Sequence, residues 1–156
     1  MGDIHRIRRV KNAQIHDSTA KNAAETEAAI KHLEEKYGIR FTEALRKLYA
    51  ECETGRIKLC VFDIGGVVCE VCKLTHLKPD ILHFEKIADW DRADGFLPDT
   101  FYPLAADRGG DTYYWDSASE KVYLSFPDDI EHPLLIANST SEFIALLDKS
   151  VAEADK

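Results

Sequence analysis

Apolar positions fall at helical spacing early in the chain, at strand spacing through its middle, and at helical spacing again near its end. From about Ser18 to Tyr37, Ile30, Leu33 and Tyr37 share one stripe, Glu27 sits four before Lys31, and Gly38 supplies a stop. A second helix starts at Thr42, a fitting N-cap. It carries Leu45, Leu48, Tyr49 and Cys52 at i, i+3, i+4 and i+7, with Gly55 after its end. The short link Gly38 to Phe41 makes the two an αα-hairpin. Residues 1–18 lack clear periodicity and read as an N-terminal arm, either mobile or adding an edge element.

The texture then changes. Ile57 to Ile64 and Val67 to Leu74 are apolar and rich in β-branched residues, and Gly65-Gly66 between them predicts a hairpin with a primed turn. Both runs are apolar on both faces, so they are expected to be central, covered strands. Ile81 to Trp90 fits a short strand, a short helix, or one leading into the other. Phe101–Ala106, Thr112–Asp116 and Lys121–Phe126 are strand-like, separated by Asp107 to Asp111 and Ser117 to Glu120, both rich in turn formers. Runs this close form an antiparallel meander, because a parallel crossover needs a dozen or more residues. Leu134 to Ala137 fits one more strand. Ser139 and Glu142 have capping-box spacing ahead of a closing helix lined by Phe143, Leu146 and Leu147. The expected fold class is α+β, with helices packed on a mostly antiparallel sheet of about five to six strands over residues 19–151, and a frayed tail at 152–156.

A chain of 156 residues that is 45% hydrophobic fits one domain with a real core. No apolar run is long enough to span a bilayer, and no apolar segment follows Arg6, Arg8 and Arg9 as in a secretory signal. A cytoplasmic location is the expectation. The net charge of −8 is uneven: residues 1–60 hold 12 Lys+Arg against 9 Asp+Glu, a balance of +3, and residues 61–156 hold 8 against 19, a balance of −11. This acidity is either a plain solvated surface or a face that steers a basic partner. Nucleic acid and membrane are not expected partners, since phosphates demand a basic patch.

Several clusters carry possible chemistry. Cys69-Glu70-Val71-Cys72, with Cys52, Cys60, His76 and His83, has residue types that hold zinc or run thiol exchange. Within a strand, however, an odd separation sends Cys69 and Cys72 to opposite faces, and buried reduced thiols need no special role. Carboxylates gather as Asp89/Asp91/Asp94, Asp107/Asp111/Asp116 and Asp128/Asp129/Glu131, types suited to acid/base work or a divalent cation. The plainer reading assigns them to turn chemistry and solvation. No nucleophile elbow, phosphate loop or other catalytic signature is present, so neither an enzyme nor a cofactor is expected. In Thr112 to Asp116, Tyr113 and Trp115 share one face and are expected in the core. Tyr114 then faces outward, bordered by Asp107, Asp111 and Asp116, and these four form the candidate binding site.

The segment Leu33-Glu34-Glu35-Lys36-Tyr37-Gly38-Ile39 and the amphipathic second helix resemble the start of a SUKH domain, the superfamily of the Smi/Knr cell-wall regulators. The turn Asp107-Arg108-Gly109-Gly110-Asp111, the run Thr112 to Asp116, Val122-Tyr123-Leu124, and Ile136-Ala137-Asn138-Ser139 leading to Phe143 extend the resemblance over roughly residues 24 to 150. Phe41-Thr42 replaces the Leu-Pro frequent before the family's second helix, and Ile57 to Asp94 matches least. The resemblance implies an α+β domain without catalytic residues. It also implies a protein partner: many bacterial members look like immunity proteins that bind and neutralise toxin domains, often nucleases, and others resemble regulatory scaffolds. The expectation is therefore a non-enzymatic, monomeric or weakly dimeric domain binding a basic toxin domain. A regulatory interaction domain and a small zinc-binding module are the alternatives.

Overall fold

The computed structural model describes residues 19–52, 56–78 and 83–154. The arm expected at residues 1–18, the expected stop at Gly55 and the last two residues of the expected tail lie outside them. The elements run α1 (Thr19–Tyr37), α2 (Glu43–Glu51), β1 (Arg56–Ile64), β2 (Val67–Leu74), α3 (Phe84–Asp94), β3 (Phe101–Ala106), β4 (Thr112–Asp116), β5 (Val122–Phe126), β6 (Asp129–Ala137) and α4 (Thr140–Ala154). The six strands form one antiparallel sheet in the order β1-β2-β3-β4-β5-β6, an α+β architecture as the segregated periodicities predict.

Local chemistry sets the boundaries. At the end of α1, Gly38 takes a φ of 67° and its N–H, like that of Ile39, returns to the Glu34 carbonyl (2.9 and 3.2 Å). The Thr42 hydroxyl accepts from the Leu45 N–H at 3.1 Å and opens α2. Gly65 and Gly66 both hold positive φ, as a primed turn requires, and Ile64 pairs with Val67 across it. At α4, the Ser139 hydroxyl accepts from the Glu142 N–H at 3.0 Å. The Glu142 carboxylate reaches back one residue further than in a simple capping box, to the Asn138 N–H at 2.8 Å. Glu27 pairs with Arg46 of α2 rather than with Lys31, which ties the hairpin together.

The core lies on one face of the sheet, called inner here. Tyr113 packs on Phe143 of α4 (centroids 5.7 Å apart) and Trp115 on Phe41 of the α1–α2 link (5.2 Å). Phe84 of α3 stacks on Tyr102 of β3 at 5.7 Å and also meets Phe41 at 5.6 Å. The Tyr113 and Trp115 side chains are buried as their alternation predicts.

The stretch Ile81 to Trp90 resolves, from His83 onward, into an extended residue leading into a helix. His83 bridges to His76, the Phe84 N–H donates to the His76 carbonyl at 2.7 Å, and α3 follows. β2 pairs with β3 through Lys73↔Ala106 and Leu74↔Ala105, and α3 packs along the remainder of β3. Lys36 of α1 fixes α3 from the other side, between Glu85 (2.7 Å) and Asp89 (2.9 Å), while the Tyr37 hydroxyl donates to Asp89 at 2.6 Å.

The hairpin β1–β2 corrects one expectation. β1 is an edge strand, not a central one, and Val61 (48% exposed) and Val68 (74%) face outward beside Leu59. Apolar character on both faces therefore does not report two covered faces here. The edge itself is occupied by α4: the Ser150 hydroxyl accepts from the Val61 N–H (2.8 Å) and donates to its carbonyl (3.0 Å). Ser150→Ala leaves both backbone groups unmatched, and urea denaturation is expected to show a loss of about 1–2 kcal/mol.

Candidate functional site

The structure places the four residues predicted for the site differently from one another. Tyr114 is 5% exposed, which corrects its expected outward exposure. Its side chain does lie on the face opposite Tyr113 and Trp115. There it meets Phe101 (6.1 Å) and lies near the Asp91 carboxylate of α3, with burial pushing the phenol pKa up. Strand alternation fixed the face, but only the packing of α3 beside β3 decides that this face is covered.

Asp107 and Asp111 stand together in the β3–β4 turn. The Asp111 N–H donates to Asp107 Oδ1 (2.9 Å), and the Asp107 N–H donates to the Asp111 carbonyl (3.1 Å). Burial, then the Asp107 charge, raises the pKa of Asp111. Gly110 holds a φ of 95° in this turn, which an L side chain rarely adopts. Asp116 is not part of this group. It lies five residues along, about 17 Å at ~3.3 Å per residue, where its carboxylate accepts from the Ala118 N–H and the Ser119 hydroxyl (both 3.0 Å).

Arg108 pins the turn to the sheet. Its guanidinium donates to both Glu70 oxygens (2.9 and 3.0 Å), its backbone N–H adds a third bond at 3.0 Å, and Glu70 is held below its ordinary pKa by that contact. The turn and α3 thus become the walls of a groove on the outer face. Two cavities adjoin there, sharing Gly110 and Thr112. The larger, about 320 Å³, lies between His76 at the end of β2, Trp90 of α3, and Asp107 and Arg108. The smaller, about 170 Å³, lies between Asp91 and Asp94 of α3, Phe96, and the floor Tyr114 and Ser125. Trp90 is 53% exposed and Phe96 71%, so the groove carries aromatic surface at its margin. A separate opening of about 620 Å³ sits at the far end of β4, between Arg40, Glu43, Trp115 and Ser141.

The sequence reading missed Trp90 and Phe96, and it assigned Asp89, Asp91 and Asp94 to turns. All three aspartates are in α3. Once Phe84 and Ala88 are recognised as the buried stripe of a helix, Asp91 and Asp94 fall on one face at i and i+3, a signal that was present but ambiguous.

The cysteines form no disulfide among the described residues, and three of them bond to the framework. Cys60 donates to the Leu147 carbonyl (3.7 Å), Cys69 to Val67 (3.5 Å) and Cys72 to Ala106 (3.6 Å). Burial pushes the Cys60 pKa up to about 12 and also raises Cys69 and Cys72, away from thiolate reactivity. Cys69 is buried and Cys72 half-buried. Among the described residues no group of three or more His, Cys, Asp or Glu side chains is placed to hold a metal ion, and no helix is long and apolar enough to cross a membrane.

The described residues form an α+β domain of helices packed on a six-stranded antiparallel sheet. Residues 24–146 match the SMI1 / KNR4 family (SUKH-1), and the chain belongs to that family. Comparisons with curated proteins and with solved structures give no match.

Burial holds the pKa of the Asp91 carboxyl above its ordinary 3.8, against the lowering pull of Tyr114. As pH rises from that value the unfolded chain ionises first, so this group costs stability increasingly until the raised pKa is passed. Asp91→Asn is therefore expected to be more stable than the wild type at neutral pH. The gap narrows as pH falls toward 3.8, which thermal unfolding across that range will measure.

Proposed function

We propose that the chain is an immunity-type protein that binds a toxin domain and neutralises it, without catalysis of its own. The observation that carries binding is the outer-face groove: aromatic surface at Trp90 and Phe96 beside the carboxylates Asp91, Asp94 and Asp107. Aromatic anchors inside a polar rim are the make-up of interface hot spots. Membership of the SMI1 / KNR4 family (SUKH-1) supports a protein as the ligand. The acidic excess of −11 over residues 61–156 supports a basic one, such as a nuclease domain.

In this reading Tyr114 is not an exposed anchor for the partner. It floors the groove beside Asp91, while Asp107 and Asp111 meet the partner at the turn. Asp116 joins them only within a standard footprint of about 800 Å² per side, which is broad enough to span β4.

The test is co-expression of this chain with the product of each adjacent gene, assayed for toxicity with and without it. Protection of the cells, a purified one-to-one complex and an association rate that falls steeply with salt are the expected results. Trp90→Ala is expected to weaken the complex by about 2 kcal/mol, roughly thirtyfold in Kd. Absence of both protection and complex refutes the immunity reading. A complex with a regulatory protein instead of a toxin favours a scaffold.

A further inference from the structure

The C-terminal turn of α3 is built against its own electrostatics. The helix dipole concentrates negative charge at that end, where anions cost and cations gain about 0.3–1 kcal/mol each. Yet Asp91 and Asp94 both stand there, three residues apart, and Gly95 closes the helix with its N–H on the Asp91 carbonyl at 3.0 Å. The cation of that turn, Arg92, is engaged elsewhere. Its guanidinium lies 4.1 Å from the Tyr102 ring centroid and donates to the carbonyls of Ala88 (3.4 Å), Phe101 (3.1 Å) and Asp99.

The two carboxylates open onto the smaller cavity; among the described residues, no basic one lines it. Tyr114 lies near Asp91 and lowers its pKa somewhat, but Asp91 Oδ2 is buried with no hydrogen-bond partner among the described residues. A carboxylate oxygen removed from both water and donors is costly unless something else supplies the missing donor. Phe96, Leu97, Pro127 and Ile130 supply apolar wall, and Thr112, Tyr114 and Ser125 line the rest. At about 170 Å³ the space has the scale of one long side chain, below the ~300–1,000 Å³ usual for small-molecule sites.

We propose that this cavity receives a single arginine side chain of the protein partner, its guanidinium between Asp91 and Asp94 and its aliphatic stem beneath Phe96. The inference rests on the protein-binding reading above and names the anchor by which the partner is held. Arginine fits better than lysine. Its planar fork can serve two carboxylates at once, it sheds water more easily, and it stacks on an aromatic ring. Its charge would offset both the carboxylate pair and the helix end. The raised pKa of Asp91 agrees with a group awaiting a cation.

A fragment titration tests this without any toxin, so its outcome is separate from that of the neutralisation assay. The full chain, labelled with ¹⁵N, is titrated with Nα-acetyl-arginine methylamide and, in parallel, with the neutral citrulline analogue. Saturable shifts confined to the amides around Asp91, Asp94, Phe96, Thr112 and Tyr114 are expected for arginine alone. Asp91→Asn, which should fold at least as well as wild type, is expected to weaken binding about tenfold. Phe96→Ala, at an exposed position, is expected to weaken it severalfold with an unchanged unfolding midpoint. Equal shifts from citrulline, shifts spread over the acidic surface at large, or unaltered binding by Asp91→Asn would each overturn the proposal. If these results appear while neutralisation is intact, only the arginine pocket is lost.

Discussion

Five aromatic side chains from five segments hold this fold in one arrangement. Phe84 of α3 stacks on Tyr102 of β3. Tyr102 meets Tyr37 of α1 (5.3 Å) and Trp115 of β4 (6.0 Å), and Phe41 of the α1–α2 link closes against Phe84 and Trp115. Such rings bury large area and prefer tilted or offset contacts, so the cluster fixes orientation as well as proximity. Because α3 packs beside β3 where β2 does not pair with it, its position is set by this cluster and by Lys36. The outer-face groove inherits its shape from that seat. Were Phe84 seated elsewhere, Asp91 could not reach Tyr114, and the smaller cavity would have no wall.

The two faces of the sheet divide the work. The inner face holds Cys60, Val71, Tyr113, Trp115 and Val122, all buried, and carries the helices. The outer face is built from the alternate positions and is covered only in part. At β4 it is covered well enough to bury Tyr114, while Val61, Val68, Trp90 and Phe96 are left in solvent. Exposed apolar groups scattered singly are ordinary, but Trp90 and Phe96 bracket carboxylates that the fold leaves weakly compensated.

What could be read in the sequence was what neighbouring residues decide among themselves. Thr42 with Leu45, Gly38, Gly65-Gly66 and Ser139 with Glu142 are local hydrogen-bonding and φ requirements, and they appear where their spacing puts them. The faces of Tyr113, Tyr114 and Trp115 were equally legible. Which face is covered was not, since Tyr114 is buried by contacts with α3, more than twenty residues earlier in the chain. Sheet order was hidden for the same reason. Ile57 to Ile64 is apolar enough for a central strand, and only the return of α4 to Val61 explains how such a run tolerates an edge. Of the site, Asp107 and Asp111 were found because turn residues announce themselves. Trp90, Asp91, Asp94 and Phe96 come together only after α3 exists as a helix.

The bond pair between Ser150 and Val61 also governs how this protein can be recognised. An open sheet edge accepts almost any extended chain, because backbone pairing is blind to sequence. With the edge at Val61 already spoken for, a partner there must be met by side chains, whose shape and charge are specified residue by residue. Recognition of that kind can be redirected by a single substitution on a surface position while the framework beneath is untouched. Binding surface and framework can then change independently of one another.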